Sequence, residues 1–246
     1  MTAPVPRPTA APAGPFRPSR YDGPPLVYEQ VLLSPRADQP FTLTVEAGQT
    51  VVVLGDEDAG VSSLGAFALA LETPRAGHVR VLGTDLTLLP ERERLAFRRR
   101  VGYLPAGDGL MQNLSLRDNV ALPLRFGSTA GSREIDGRVD VMLAAGRLTR
   151  IGGLRPAQAN EEERRRTALV RALAFDPALL ILEQPFDGLT SRVAGELLTL
   201  ARGGEEEGGA RRTVFITGQE LPPVLHRRAE RVYRLHRAGA LELEPA

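Results

Sequence analysis

The segment GDEDAGVSS, residues 55–63, has the frame of a phosphate-binding loop without its cation. Such a loop reads G-x-x-x-x-G-K-[ST]: backbone N–H groups cradle phosphates, the lysine grips them, and the hydroxyl reaches a magnesium ion. Gly55, Gly60 and Ser62 stand in register, Ser63 follows, and Val61 holds the lysine position. Asp56, Glu57 and Asp58 crowd the place that should receive an anion. One like-charge pair at about 4 Å costs roughly 4 kcal/mol at an effective dielectric near 20. Either these acids point to solvent, or one folds into the vacant anion hole and satisfies N–H groups at a helix start. Glu183 and Gln184 close the apolar run Leu179–Leu182 as a polar strand end.

These residues need a strand, a loop and a helix in that order. FTLTVEAGQTVVVLG alternates apolar and polar residues, then runs through Val51–Leu54 as a buried strand into the glycine loop. VSSLGAFALALE, residues 61–72, reads as the following helix. Downstream, GHVRVLGTDL is a strand and turn, PERERLAFRRR a charged helix start and VGYLP a strand. NLSLRDNVALPLRFG and REIDGRVDVMLAAGRL have helical spacing. A helix from about Asn160 to Ala174 precedes the strand Leu179–Leu182. A Gly/Glu-rich flexible loop, a strand TVFIT, and LPPVLHRRAERVYRL as helix then final strand complete the chain. Apolar strands alternating with helices predict an α/β fold with a mainly parallel sheet and helices on both faces.

Composition narrows the chemistry. The 246 residues suffice for one α/β domain, and residues 1–25, with eight of the 20 prolines, predict an extended, unpacked tail. No apolar run reaches the roughly 20 residues of a membrane span, and the N-terminus lacks the apolar core of a signal peptide, so a cytoplasmic location is expected. Cysteine is absent and the three histidines are isolated, which argues against a structural metal site. All 31 basic residues are arginine. A drift from lysine to arginine would have put Arg, not Val, at position 61. The net charge of +1 argues against nucleic acid, and the patches FRRR (97–100) and RRR (164–166) are expected to be solvated helix faces.

Across about residues 26–242 the chain resembles the nucleotide-binding subunit of ABC transporters, a P-loop NTPase-like fold with a helical insert, here about 103–155. The densest match is RPAQANEEERRRTALVRALAFDPALLILEQPFDGLT, where Gln158, Arg166, Ala168, Arg171, Ala172, Leu173, Pro177, Pro185, Gly188 and Leu189 fall in the family's register. The resemblance implies ATP and Mg²⁺ as ligands, a homodimer or a heterodimer with another ABC ATPase subunit, and docking on a membrane permease at the inner face of the cytoplasmic membrane.

The departures from the family bear on function. Its magnesium-holding Asp and catalytic Glu correspond to Glu183 and Gln184, and its γ-phosphate histidine to Gln219; the resemblance thus implies at most weak metal contact at Glu183 and Ser62, and a general base lost at Gln184, worth a factor of roughly 10² to 10⁴. Its metal-sensing glutamine corresponds to Ala106 and its closing aspartate to Thr190, while no aromatic near Leu32 could stack on adenine. The L-S-G-G-Q signature is replaced by Ala159, Asn160, Glu161, Glu162 and Glu163, so its vestige, Asn160, Glu161 and Glu162, presents acids to a partner's ATP. As a helix start the same segment is favourable: Asn160 is a strong N-cap, and Glu161–Arg165 and Glu162–Arg166 have i, i+4 spacing. The expectation is a non-hydrolysing cassette, with nucleotide absent or weakly held, serving a permease as structural or regulatory partner. The insert, VGYLPAGDGLMQNLSLRDNVALPLRF, most resembles lipid- and lipoprotein-transport cassettes. A weakly ATP-binding subunit working with a catalytic partner, and a soluble regulator, are the alternatives.

Overall fold

The computed structural model describes residues 19, 21–33, 37–203 and 211–244. Most of the proline-rich tail and the Gly/Glu-rich loop, 204–210, lie outside the described residues. The central sheet has six strands in the order β10-β9-β3-β8-β7-β6. They are β3 (Thr50–Leu54), β6 (Val101–Leu104), β7 (Leu179–Glu183), β8 (Thr213–Gly218), β9 (Arg231–Leu235) and β10 (Leu241–Leu243). All neighbours pair in parallel except β10, which runs antiparallel to β9.

Both faces of this sheet are covered, so its strands are continuously apolar instead of alternating with polar residues. Successive side chains nevertheless divide between two cores. Val51, Val53, Leu179, Ile181 and Phe215 pack on one face, with Leu64 and Phe67 of α1 (Ser63–Ala68) and with the second sheet. Val52, Leu54, Leu180, Leu182, Val214 and Ile216 pack on the other, against α3 (Leu116–Gly127), α4 (Ser132–Ala145), α5 (Glu161–Ala172) and α6 (Ser191–Arg202). The mainly parallel α/β architecture thus has the expected form.

A second, antiparallel sheet of four strands, β2-β1-β4-β5, was not foreseen. It joins β1 (Leu26–Leu32), β2 (Phe41–Val45), β4 (Ala76–Val81) and β5 (Thr84–Asp85). Its central pairing sets Leu26 beside Val81, a contact between distant segments that local periodicity does not encode. Tyr28 of β1 is fully buried between Phe41 and Phe215, with ring centroids 5.8 Å from each, and joins the two sheets.

The C-terminal segment has the expected helix and strand, α7 (Pro223–His226) and then β9, which pairs in parallel with Val51–Leu54. Three local expectations are corrected. The helix expected over 61–72 is only α1, residues 63–68; it ends where Ala70 turns to positive φ and Arg98 of α2 (Glu91–Arg98) donates to the Leu69 and Ala70 carbonyls. The RRR patch is not a solvated face: Arg165 and Arg166 are each 6% exposed. Residues before 26 are not all unpacked, since the Ser19 N–H and hydroxyl both donate to the Asp176 carbonyl at 2.9 Å.

Arg212, expected in the flexible loop, is completely buried. It donates from Nε to the Pro177 carbonyl and from Nη1 to the Ala201 carbonyl, and burial lowers its pKa to about 10. It shares this interior with Asp176, which accepts from Arg138 of α4 at 2.6 Å and ties the helical insert to the base of β7.

Candidate functional site

The glycine loop leaves β3 at its carboxyl end, as the phosphate-loop reading requires. Gly55 is buried, its N–H bonds the Gly218 carbonyl of β8, and a Cβ there would lie 2.8 Å from the Leu235 carbonyl, so strand ends close on it from both sides. Gly60 adopts φ +85°, a conformation that glycine accepts without strain. Three of its N–H groups bond within the segment itself. Residues 57–59 form a 3₁₀ turn, Ala59 N–H bonds the Asp56 carbonyl, and Ser63 and Leu64 N–H groups bond Gly60 and Val61.

Asp58 is exposed, in the solvent-facing arrangement, and its carboxylate also pairs with Arg237, in the turn between β9 and β10, at 2.6 Å. Asp56 is exposed as well. At the position of the cation, Val61 is 3% exposed and packs in the core with Leu33, Leu64 and Phe67. Ser62 and Ser63 follow, exposed and half-buried; Ser62 is the N-cap of α1 but makes no side-chain cap bond.

Glu183 departs furthest from the expected role of metal ligand. It ends β7 and is buried. Its Oε2 accepts from Ala106 N–H at 3.3 Å, and Tyr103 lies close enough to act on its ionisation. Oε1 has no partner and lies where a side chain at Gly65 of α1 would stand. Burial raises the Glu183 pKa and holds the acid toward its neutral form, while Tyr103 and Ala106 oppose that shift. Burial, then the nearby Glu183, raises the phenols of Tyr28 and Tyr103. Tyr28 donates its hydroxyl to the Leu64 carbonyl at 2.8 Å, one residue before Gly65. The carboxyl is thus buried between β7 and α1, with one oxygen taken by the Ala106 N–H. Among the described residues no group of three or more His, Cys, Asp or Glu side chains could hold a metal ion.

Gln184 is half-buried, with φ +46°, and its N–H bonds the Thr217 carbonyl at 2.7 Å. Gln219 and Thr190 are exposed; Thr190 caps α6 through Val193 N–H. Ala106 serves through its main chain, as the donor to Glu183. Leu32 packs at the edge of the core below α1.

The vestigial signature is consumed by its own helix. Asn160 accepts from Glu163 N–H and Glu163 returns a bond to Asn160 N–H, both 2.9 Å, which makes a capping box. Glu162 pairs with Arg166 at 2.8 Å, as its spacing implies. The Glu161–Arg165 pair does not form. Glu161 instead lies over Gly188, where a Cβ would meet its carboxylate oxygens at 2.8 Å. Arg165 is turned inward with Nη1 unpartnered. Asp187, next to Gly188, has a pKa raised by burial, with Arg165 opposing and Glu161 and Glu220 adding to the shift.

Gly65, Tyr28, Tyr103 and the Asp58–Arg237 pair were missed from sequence. Gly65 carried a signal, because a glycine inside a helical pattern marks close approach of another group. The other three depend on contacts between distant segments.

A family profile described as ABC transporter matches residues 39–187, more than half of the chain. The chain belongs to the ABC transporter family. Over 162 residues it is 32% identical to the methionine import ATP-binding protein MetN 2 of Pseudomonas aeruginosa strain UCBPP-PA14, covering 66% of this chain and 48% of that one. Over 182 residues it is 33% identical to the sulfate/thiosulfate import ATP-binding protein CysA of Synechococcus elongatus, covering 74% and 51%. The chain therefore spans about half the length of the curated relatives it matches. The dimeric post-hydrolysis structure of the ATP-binding cassette MJ0796 bound to ADP and Pi has a TM-score of 0.77 at 23% identity, over 90% of this chain and 99% of that one. CbiO1 from Clostridium perfringens, part of the cbiONQ complex, has a TM-score of 0.74 at 16% identity, over 90% and 89%. Both likenesses establish the ATP-binding-cassette fold. In this cassette no helix of the described residues is long and apolar enough to cross a membrane.

Proposed function

We propose that this ABC cassette is a non-hydrolysing subunit that docks on a membrane permease at the cytoplasmic face and acts there as a structural or regulatory partner. The observation that carries the reading is Val61. At 3% exposure, in contact with the core beneath α1, it makes the loop position that should present a cation part of the hydrophobic interior. A phosphate arriving at this loop would meet no lysine at position 61, and the Ala59, Ser63 and Leu64 N–H groups are already bonded within the chain. Gln184 supplies no base, and the buried Glu183 is poorly placed for magnesium. The import names of the relatives favour a permease for a small solute. The lipid-transport expectation, which rested on the helical insert, has no counterpart in those names.

Fractionation of the native host tests this. The chain is expected with the membranes, to leave them on alkaline washing, and to co-purify in detergent with an integral membrane protein. The purified chain should release no phosphate from ATP above the level of a protein-free blank. A chain found wholly away from membranes, or metal-dependent turnover by the chain alone, would contradict the proposal.

A further inference from the structure

Beside the glycine loop, on the β9 side, lies a cleft of about 380 Å³ lined by Gly55, Asp56 and Ala59 from the loop and by Arg234 to Ala238. Its volume lies within the span of small-molecule sites, roughly 300–1,000 Å³. It sits outside the carboxyl ends of β3 and β9, which run in parallel; open α/β sheets bind ligands at such ends. Leu235 and Ala59, both nearly buried, supply apolar wall. Arg234, His236 and Arg237 supply basic groups, and Asp56 is the one acid among the lining residues.

Each basic group is held by a carboxylate from outside the lining: Arg234 by Glu244 at 2.6 Å, His236 by Glu242 at 3.1 Å and Arg237 by Asp58 at 2.6 Å. The third pair differs from the others. Glu242 and Glu244 belong to or adjoin β10, the hairpin partner of β9, whereas Asp58 belongs to the loop. The Asp58–Arg237 pair is also solvent-exposed, with side chains 50% and 73% accessible, and such pairs are readily exchanged for another anion. A guanidinium fork accepts a phosphoryl group at least as well as a carboxylate.

We propose that this cleft binds the phosphoryl group of a small ligand through Arg237 and Arg234, and that the Asp58 carboxylate occupies Arg237 as an internal stand-in. The ligand displaces Asp58 and releases the 3₁₀ turn at 57–59. The loop thereby senses an anion from its β9 side, with the cations supplied by the hairpin and not by the loop. This site is independent of the permease proposal, since it requires neither hydrolysis nor membrane docking.

The test is metal-free calorimetric titration of the full chain with inorganic pyrophosphate, and separately with AMP, at low ionic strength. Asp58→Asn removes the competing carboxylate and should tighten pyrophosphate binding about three- to fivefold, the range expected for an exposed pair. Arg237→Ser should abolish binding at 10 mM ligand, on the order of ten times a millimolar Kd. Both residues are exposed, so unchanged thermal melting shows that the variants fold. Hydrogen exchange of residues 57–60 should accelerate when ligand is added to wild type, a response that a merely structural ion pair would not give. AMP binding tighter than pyrophosphate identifies the occupant as a nucleotide; the reverse order identifies a phosphorylated ligand without a base. Equal affinity of wild type and both variants, or no heat from wild type and Asp58→Asn, overturns the proposal.

Discussion

The carboxyl of Glu183 occupies the space that a side chain at Gly65 would fill. One residue ends β7 and the other lies in the first turns of α1, and the atom between them, Oε1, is buried without a hydrogen-bond partner. The extra methylene of glutamate relative to aspartate and the missing side chain at Gly65 are complementary. A site that would present an acid to a metal has become a packing contact.

That complementarity predicts a coupling between the two positions. Gly65→Ala places a Cβ against Oε1 and should destabilise the chain by about 1–3 kcal/mol, the usual cost of overpacking. Glu183→Asp should recover much of this loss when combined with Gly65→Ala, although alone it leaves a small void. Urea unfolding of the four proteins in a double-mutant cycle measures the coupling, and strictly additive effects would show that the two side chains do not share this space.

The protonation of Glu183 sets a pH trend. Burial raises its pKa above the ordinary 4.5, so between that value and the raised one the folded chain binds more protons than the unfolded chain. Its contribution to stability is therefore complete below the ordinary glutamate range and is lost as pH rises through the folded-state pKa. Glu183→Gln should gain on wild type as pH increases from acid to neutral. Melting temperatures of both proteins across that range check the trend; a difference independent of pH would contradict it.

The sequence carried the architecture better than the contacts at the site. Period-two and continuous apolar runs located the central strands, and Asn160 announced the start of α5. The antiparallel sheet, the burial of Arg212 and the Asp58–Arg237 pair arise between segments far apart in the chain, where no local pattern exists. For Glu161 the i, i+4 spacing was present, yet tertiary packing turned Arg165 inward and left the glutamate over Gly188.

The capping box makes a separate prediction. Asn160→Ala removes the bond to Glu163 N–H and should cost about 1 kcal/mol. Glu162→Gln, which weakens one side-chain pair, should cost no more than about 0.5 kcal/mol. Chemical denaturation resolves the two, and equal losses would argue that the segment is held by something other than its cap.

The buried pair Arg138–Asp176 should matter more to stability than any surface ion pair. Asp176→Ala leaves Arg138 and Arg212 in the interior without this carboxylate and is expected to cost about 3–5 kcal/mol. The same denaturation assay checks it, and a loss below about 1 kcal/mol, the level of an exposed pair, would contradict the burial described here.

The central claim, that the buried Val61 at the cation position has withdrawn this cassette from nucleotide chemistry, is tested most directly by calorimetric titration with ATP and magnesium into the Arg237→Ser protein, which removes the exposed guanidinium of the neighbouring cleft from the measurement. The account predicts no saturable heat up to millimolar ligand. Binding tighter than about 100 μM, roughly −5.5 kcal/mol, would mean that the loop holds phosphate without its lysine and would contradict it.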